Sequence, residues 1–220
     1  MPTVAYVGSV VDQPPVAAPP SPKQAAILEA ATRVFLDNGF LGTSMDVIAR
    51  VAKVAKQTVY QHFVDKERLF VEVVRGAVNT VADPVSAEIG RLGTGDDLAT
   101  ELHDLAVRQL GAVLQPRVLA LRRLVIAEAG RFPELGQEFF DRGPGRTMEV
   151  LAARFAELAR EGRLHLDDPS VAASQFNWLV MAAPVNEAML LGRTDFSAED
   201  LASIADRAVK TFVRAHGVQG

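Results

Sequence analysis

Gln57 and Gln61 stand four residues apart, beside Lys56 and Thr58, in a segment with little apolar bulk. A side-chain carboxamide carries a donor and an acceptor side by side, the pattern that pairs bidentately with adenine in a major groove. Lys56, Gln57, Thr58 and Gln61 are therefore the candidates for reading base edges. Thr43, Ser44, Tyr60, His62 and Lys66 lie close by in the chain. Their hydroxyl, phenol, imidazole and ammonium groups suit phosphate oxygens, contacts that position a protein on a duplex without reading sequence. Catalytic candidates are lacking: the four histidines, His62, His103, His165 and His216, are scattered, with no HExxH spacing, nucleophile elbow or P-loop. The carboxylate pairs Asp96-Asp97 and Asp167-Asp168 sit at helix starts, where capping accounts for them. The residues predict no enzyme, no cofactor and no metal site.

A reading surface needs elements to hold it. Met45, Ile48, Ala49 and Ala52 recur at the spacing of one stripe on a two-turn helix. Thr43 and Asp46 have capping-box spacing in front of that stripe. After a turn, Val59 and Phe63 face inward together, which sends Gln57 and Gln61 to the opposite side with Thr58 and Tyr60 flanking them. Two short helices at a sharp turn, the second with hydrogen-bonding groups outward, make the geometry of a helix-turn-helix whose second helix enters a major groove.

The same stretch resembles the N-terminal DNA-binding domain of the TetR family of bacterial transcriptional regulators. The resemblance runs from Ile27-Leu28-Glu29-Ala30-Ala31-Thr32-Arg33-Val34-Phe35 through Asn38-Gly39-Phe40, Thr43-Ser44-Met45 and Ile48-Ala49. It continues through Thr58-Val59-Tyr60-Gln61-His62-Phe63 to Lys66-Glu67-Arg68-Leu69-Phe70, about 50 of 220 residues in one register. Two positions depart from the family pattern. Lys53 stands where the family usually has glycine, at a turn that needs a left-handed backbone, and a side chain there costs about 1 kcal/mol. Ala55 stands where the family often has serine to cap the reading helix, a loss of about 1 kcal/mol.

The bulk composition fits a globular chain long enough to bury a core: 220 residues, 49% hydrophobic and 23% charged. The absence of cysteine excludes disulfides, thiolate zinc sites and cysteine nucleophiles, and suits a reducing cytoplasm. The most apolar stretch, Val171 to Leu191, is interrupted by Gln175, Asn177, Pro184, Asn186 and Glu187. It reads as a buried helix, not a membrane span. A net charge of −4 looks wrong for a DNA binder until it is divided. Residues 23–75 hold eight Lys and Arg against six Asp and Glu, whereas residues 76–220 hold fifteen against twenty. The positive balance sits with the helix-turn-helix.

Periodicity from Lys23 onward is helical throughout, giving nine or ten helices and an all-α chain. Three domains are expected: a Pro-rich arm over 1–22, a helix-turn-helix domain over 23–70, and a helical effector-binding and dimerisation domain over 71–220. The arm holds six of the twelve prolines and a single charge, so it should not form a helix. A linker helix from Lys66 is expected to close at Asp83-Pro84, and Asp96 to cap the next one. Gly143-Pro144-Gly145 should break the chain before a helix from Arg146 to Glu161. Asp168-Pro169 and Ser197/Asp200 mark the starts of the last two helices, the first of them kinked at Pro184.

Residues from Leu121-Arg122-Arg123-Leu124 through Phe132-Pro133-Glu134-Leu135 are similar to the AefR-like branch of the family. The resemblance implies a homodimer, an unknown small-molecule effector and a double-stranded DNA operator, in the cytoplasm. His103, Gln109, Arg122, Phe155, Asn177, Trp178 and Met181 lie on helices that surround the family's cavity. Phe155 and Trp178 also read as core, Arg122 and Arg123 as exposed or paired with Glu128 or Glu134, and His103 as exposed. Phe176, Leu179, Val180, Ala183 and Glu187, then Leu201, Ile204, Ala208 and Phe212, recur at helical steps on the last two long helices. They predict a pair of helices that a twofold-related copy would cover. An all-α enzyme and a protein-binding adaptor with a decayed reading head are the rival readings. The first lacks catalytic spacing, and the second has only Lys53 and Ala55 in its favour.

Overall fold

The computed structural model describes residues 20–217, in which ten α-helices and one π-helical turn account for nearly all of the chain. The helices are α1 (Pro22–Asn38), α2 (Met45–Val51), α3 (Lys56–His62), α4 (Lys66–Ile89) and α5 (Leu98–Val113). They continue with α6 (Pro116–Glu128), α7 (Pro133–Phe140), α8 (Arg146–Arg160), α9 (Pro169–Leu191) and α10 (Ala198–His216). Asp141–Gly145 forms the π-helical turn between α7 and α8. No strand occurs among the described residues.

Local chemistry sets most helix ends. The Ser21 hydroxyl accepts from the Gln24 amide and Pro22 takes the first helical position, so α1 starts inside the segment expected to be arm. The rest of that arm lies outside the described residues. Gly39 ends α1 at φ 70, a conformation that favours glycine. Gly42 is required for a different reason: a Cβ there would lie 2.4 Å from the Asn38 carbonyl oxygen. The cap of α2 is Ser44, whose hydroxyl accepts from Val47, and not the expected Thr43. Likewise Asp97 caps α5 in place of Asp96. Asp168 caps α9, and Ser197 with Asp200 closes a reciprocal capping box on α10.

Two expected breaks are not breaks. α4 runs through Pro84 to Ile89 because the turn beyond the proline buries Val85 and Ile89 in the core, and that burial outweighs one missing backbone hydrogen bond. Gly143-Pro144-Gly145 does not interrupt the chain either. The helix widens into a π-turn that accommodates the proline and continues directly into α8.

The apolar side chains divide into two cores. One gathers Ile27, Val34, Phe35, Phe40, Ile48, Val59 and Phe63 with Leu69, Phe70, Val73 and Val74 of α4. Leu121 and Val125 of α6 and Leu135 of α7 join it. The other joins the far end of α4 to α5, α8, α9 and α10, around the mutually packed rings of Phe155, Phe176 and Phe212. The packing divide therefore falls inside α4; α7 and one side of α6 pack with the helix-turn-helix although they lie beyond residue 70, while Leu119 of α6 joins the second core.

Candidate nucleic-acid interface and ligand cavity

Val59 is fully buried and Phe63 nearly so, which fixes the rotation of α3. Lys56, Gln57, Tyr60 and Gln61 consequently face outward, and Thr58 is half-buried at the edge. The turn before α3 has the strain and the missing cap that the family resemblance implies. Lys53 sits at φ 55, the single non-glycine residue with positive φ among those described. Ala55 occupies the N-cap with extended geometry and no side-chain hydrogen bond to the helix. One contact was not foreseen: Lys56 Nζ lies 2.8 Å from Asp46 Oδ1, an ion pair that ties α3 to the start of α2. The Asp46 carboxylate, by hydrogen bond and by charge, raises the Lys56 ammonium above its ordinary value.

The phosphate candidates separate. Ser44, Tyr60 and His62 are exposed. Thr43 is only 3% exposed and its hydroxyl donates to the Gly39 carbonyl at 2.7 Å, which withdraws it from any outside partner. Lys66 is committed as well. Its ammonium donates to the carbonyl oxygens of Phe40 and Thr43, each at 2.9 Å, and sits over the Phe40 ring. It pins the α1–α2 loop to α4, so two of its three donors are already used.

Between the two cores lies a cavity of about 880 Å³, within the range of small-molecule sites. Gln109, Arg122, Asn177, Trp178 and Met181 line it. Two expected lining residues do not. Phe155 is fully buried in the aromatic cluster, and the His103 ring lies 3.3 Å from the Ala202 carbonyl on α10 and beside Asp104. Two walls lie outside the sequence-based set: α1, which contributes Leu28, Thr32 and Leu36, and α4, which contributes Val73, Ala77 and Val81. A polar Thr32 on the otherwise apolar stripe of α1 was the available signal. Arg122 is half-buried and makes no ion pair with Glu128 or Glu134; Arg123 donates to the Ala188 carbonyl near the C-terminus of α9.

The proposed dimer residues also divide. Phe176, Val180, Ala208 and Phe212 are at most 4% exposed, closed within the chain's own core by the aromatic cluster, and cannot meet a second copy. Leu201 and Ile204 are half-buried against the same core. Leu179, Ala183 and Glu187 remain accessible, with Glu187 paired to Arg193 at 3.0 Å. Unlike α10, which gathers its apolar residues on one face, α9 leaves Val171, Leu179, Leu190 and Leu191 exposed, and Trp178, which also lines the cavity, is partly exposed.

Comparison with known proteins agrees with this architecture. Residues 27–73 match the model of the tetR family of bacterial regulatory proteins, and residues 100–218 match that of the AefR-like transcriptional repressor C-terminal domain. Among solved structures, a TetR-family transcriptional regulator from Mesorhizobium loti is 37% identical, with a TM-score of 0.85 over 89% of this chain and 97% of that one. The flavonoid-responsive regulator FrrA is 30% identical, with a TM-score of 0.73 over 90% and 98%. The HTH-type transcriptional regulator YhgD of Bacillus subtilis is 49% identical over 47 residues, 21% of this chain and 25% of that protein. The activator FasR of Mycolicibacterium smegmatis is 36% identical over 67 residues, 30% and 31% of the two chains. The match thus spans a quarter to a third of these two curated relatives. With a helix-turn-helix at one end, an AefR-like helical domain over more than half its length and a near-complete structural counterpart, the chain belongs to the TetR family of bacterial transcriptional regulators.

Proposed function

We propose that the chain acts in the cytoplasm as a homodimeric repressor that binds a palindromic operator and leaves it when a small molecule enters the cavity. It binds and does not catalyse. The observation that carries the proposal is the orientation of α3: Val59 and Phe63 are inward, so Lys56, Gln57, Tyr60 and Gln61 form one outward hydrogen-bonding edge. In a dimer two such helices would enter successive major grooves about 34–36 Å apart. Gln57 and Gln61, with Lys56 and Thr58, read bases; Ser44, Tyr60 and His62 take phosphates. For Lys56 this requires exchanging Asp46 for DNA. The exposed apolar face of α9, centred on Leu179 and Ala183, would be covered by the same face of a twofold-related copy. Repression follows the description of the matching C-terminal domain; FasR, similar over the reading head alone, is named an activator.

The coupling route is short. The cavity is walled by α1, α4, α5, α6 and α9, and of these α1, α4 and α6 also build the core beneath the reading helix. A ligand that fits one arrangement of these helices better than the other shifts the two by the difference in its affinities.

Gel-shift titration at several salt concentrations, with DNA from upstream of the gene against random duplex, tests the proposal. Gln57→Ala and Gln61→Ala are expected to narrow the gap between the two DNAs by about 1–3 kcal/mol for each lost bidentate pair. Absence of salt-sensitive binding to any duplex from the genomic neighbourhood would overturn it.

A further inference from the structure

We propose that the cavity takes an apolar molecule carrying one anionic group, a carboxylate, seated on Arg122. This deepens the reading of the cavity as the effector site and rests on it. Six ionised side chains line the cavity: Glu29, Glu72, Glu88, Arg108, Arg117 and Arg122. Five are paired. Glu29 holds Arg117 at 3.2 Å, Glu88 holds Arg108 at 2.5 Å, and Glu72 is held by Arg75 at 2.5 Å. Arg122 alone makes no ion pair or hydrogen bond among the described residues. Its guanidinium lies 5.5 Å from the centre of the Phe139 ring, and burial pulls its pKa below the ordinary arginine value. It remains charged, because a guanidinium does not lose its proton in this range. A partly desolvated cation without a counter-ion is unfavourable in the empty protein and becomes favourable once an anion arrives. The planar fork matches a carboxylate bidentately.

A second group agrees. Gln109 is 4% exposed; its Nε2 donates to Asn177 Oδ1 at 3.0 Å, and its Oε1 has no partner. Both side chains line the cavity; Gln109 Oε1 itself is closed off from it, and a rotation of that carboxamide would turn the oxygen toward a hydroxyl or N–H on the ligand body. The remaining walls are mostly apolar, among them Leu28, Val73, Ala77, Val81 and Leu121.

Trp178, the single tryptophan of the chain, lines the cavity and reports occupancy directly. The test titrates the full chain, without DNA, with decanoate, decanol and decylamine below their aggregation thresholds, and follows Trp178 emission and melting temperature. Wild type is expected to bind decanoate at least about tenfold more tightly than decanol, the value of one charge-assisted hydrogen-bonded contact, with decylamine weakest. Arg122→Met should erase that preference, leave decanol binding within about twofold, and melt higher than wild type without ligand. Arg122→Lys should retain the preference in part, which separates charge from misfolding. The inference is overturned if decanol or decylamine matches decanoate in wild type, if the preference survives Arg122→Met, or if no probe perturbs Trp178. Arg122-dependent binding of decanoate that leaves a DNA complex intact supports the ligand class and counts against ligand-released regulation. A gel shift that succeeds while every probe fails does the reverse.

Discussion

The turn before the reading helix carries two local faults, and repairing them gives a sharp quantitative expectation. Lys53 holds a left-handed backbone at φ 55, which costs a residue with a Cβ about 1–2 kcal/mol relative to glycine. Part of that is returned, because glycine has more freedom to lose on folding, so Lys53→Gly should stabilise by about 1 kcal/mol. Ala55 leaves the first amides of α3 without a side-chain acceptor although its backbone already has cap geometry. Ala55→Ser should add about 1 kcal/mol. In a chain of this length each kcal/mol moves the melting temperature by roughly 2–4 °C. The double variant should therefore melt roughly 4–8 °C higher, less any coupling between neighbouring sites. Thermal denaturation at one fixed protein concentration, followed by far-UV circular dichroism, makes the measurement. Lys53→Ala is the control, since it removes the long side chain but keeps the Cβ. Equal melting temperatures for Lys53→Ala and Lys53→Gly would refute the backbone argument, and no gain from Ala55→Ser would refute the cap argument.

Lys66→Met should destabilise the protein by roughly 2 kcal/mol, because two carbonyls lose a charged donor, yet leave the salt dependence of DNA binding unchanged. Lys56→Met, in contrast, should make the logarithmic salt slope shallower by about 0.9, which salt-series gel shifts can measure. Burial opposes ionisation of Glu138, but hydrogen bonds from Arg75 and Arg142 prevail and hold its carboxyl below the ordinary value of 4.5. A depressed folded-state value means the contribution is complete above the unfolded pKa and fades as pH falls through the folded one. Urea melts of wild type and Glu138→Gln should therefore differ above pH 4.5 and converge below it. Leu179→Glu places a charge on the outer face of α9 and should shift the protein to monomer in sedimentation equilibrium while preserving its helix content.

What was legible in the sequence was local. Gly39, Asp168-Pro169 and the capping box of Ser197 and Asp200 each act within a few residues, whereas Pro22 counts as arm by composition and yet opens α1. The inward pair Val59 and Phe63 that orients α3 is read locally as well, whereas the left-handed turn at Lys53 and the bare cap at Ala55 are legible through the family resemblance. Tertiary effects were not legible. Pro84 looked like a terminus because nothing nearby announces that Ile89 will be buried. Phe176, Val180 and Phe212 looked like interface because helical spacing alone does not say which apolar face meets which neighbour. Thr43 and Lys66 read as phosphate ligands in the sequence because their engagement with Gly39, Phe40 and Thr43 depends on how the α1–α2 loop folds back. The isolation of Arg122 depends on which acids fall within reach, a property of the packed helices and not of their order in the chain.

The seating of Leu121, Val125 and Leu135 against Val73 and Val74 bears on protein engineering. A chimera joined at residue 70 would give the transplanted reading head a foreign floor. A workable graft has to carry α6 and α7 along with the first four helices. In that sense the sensor and the reader of this regulator share a foundation, and exchanging one for another means exchanging part of both.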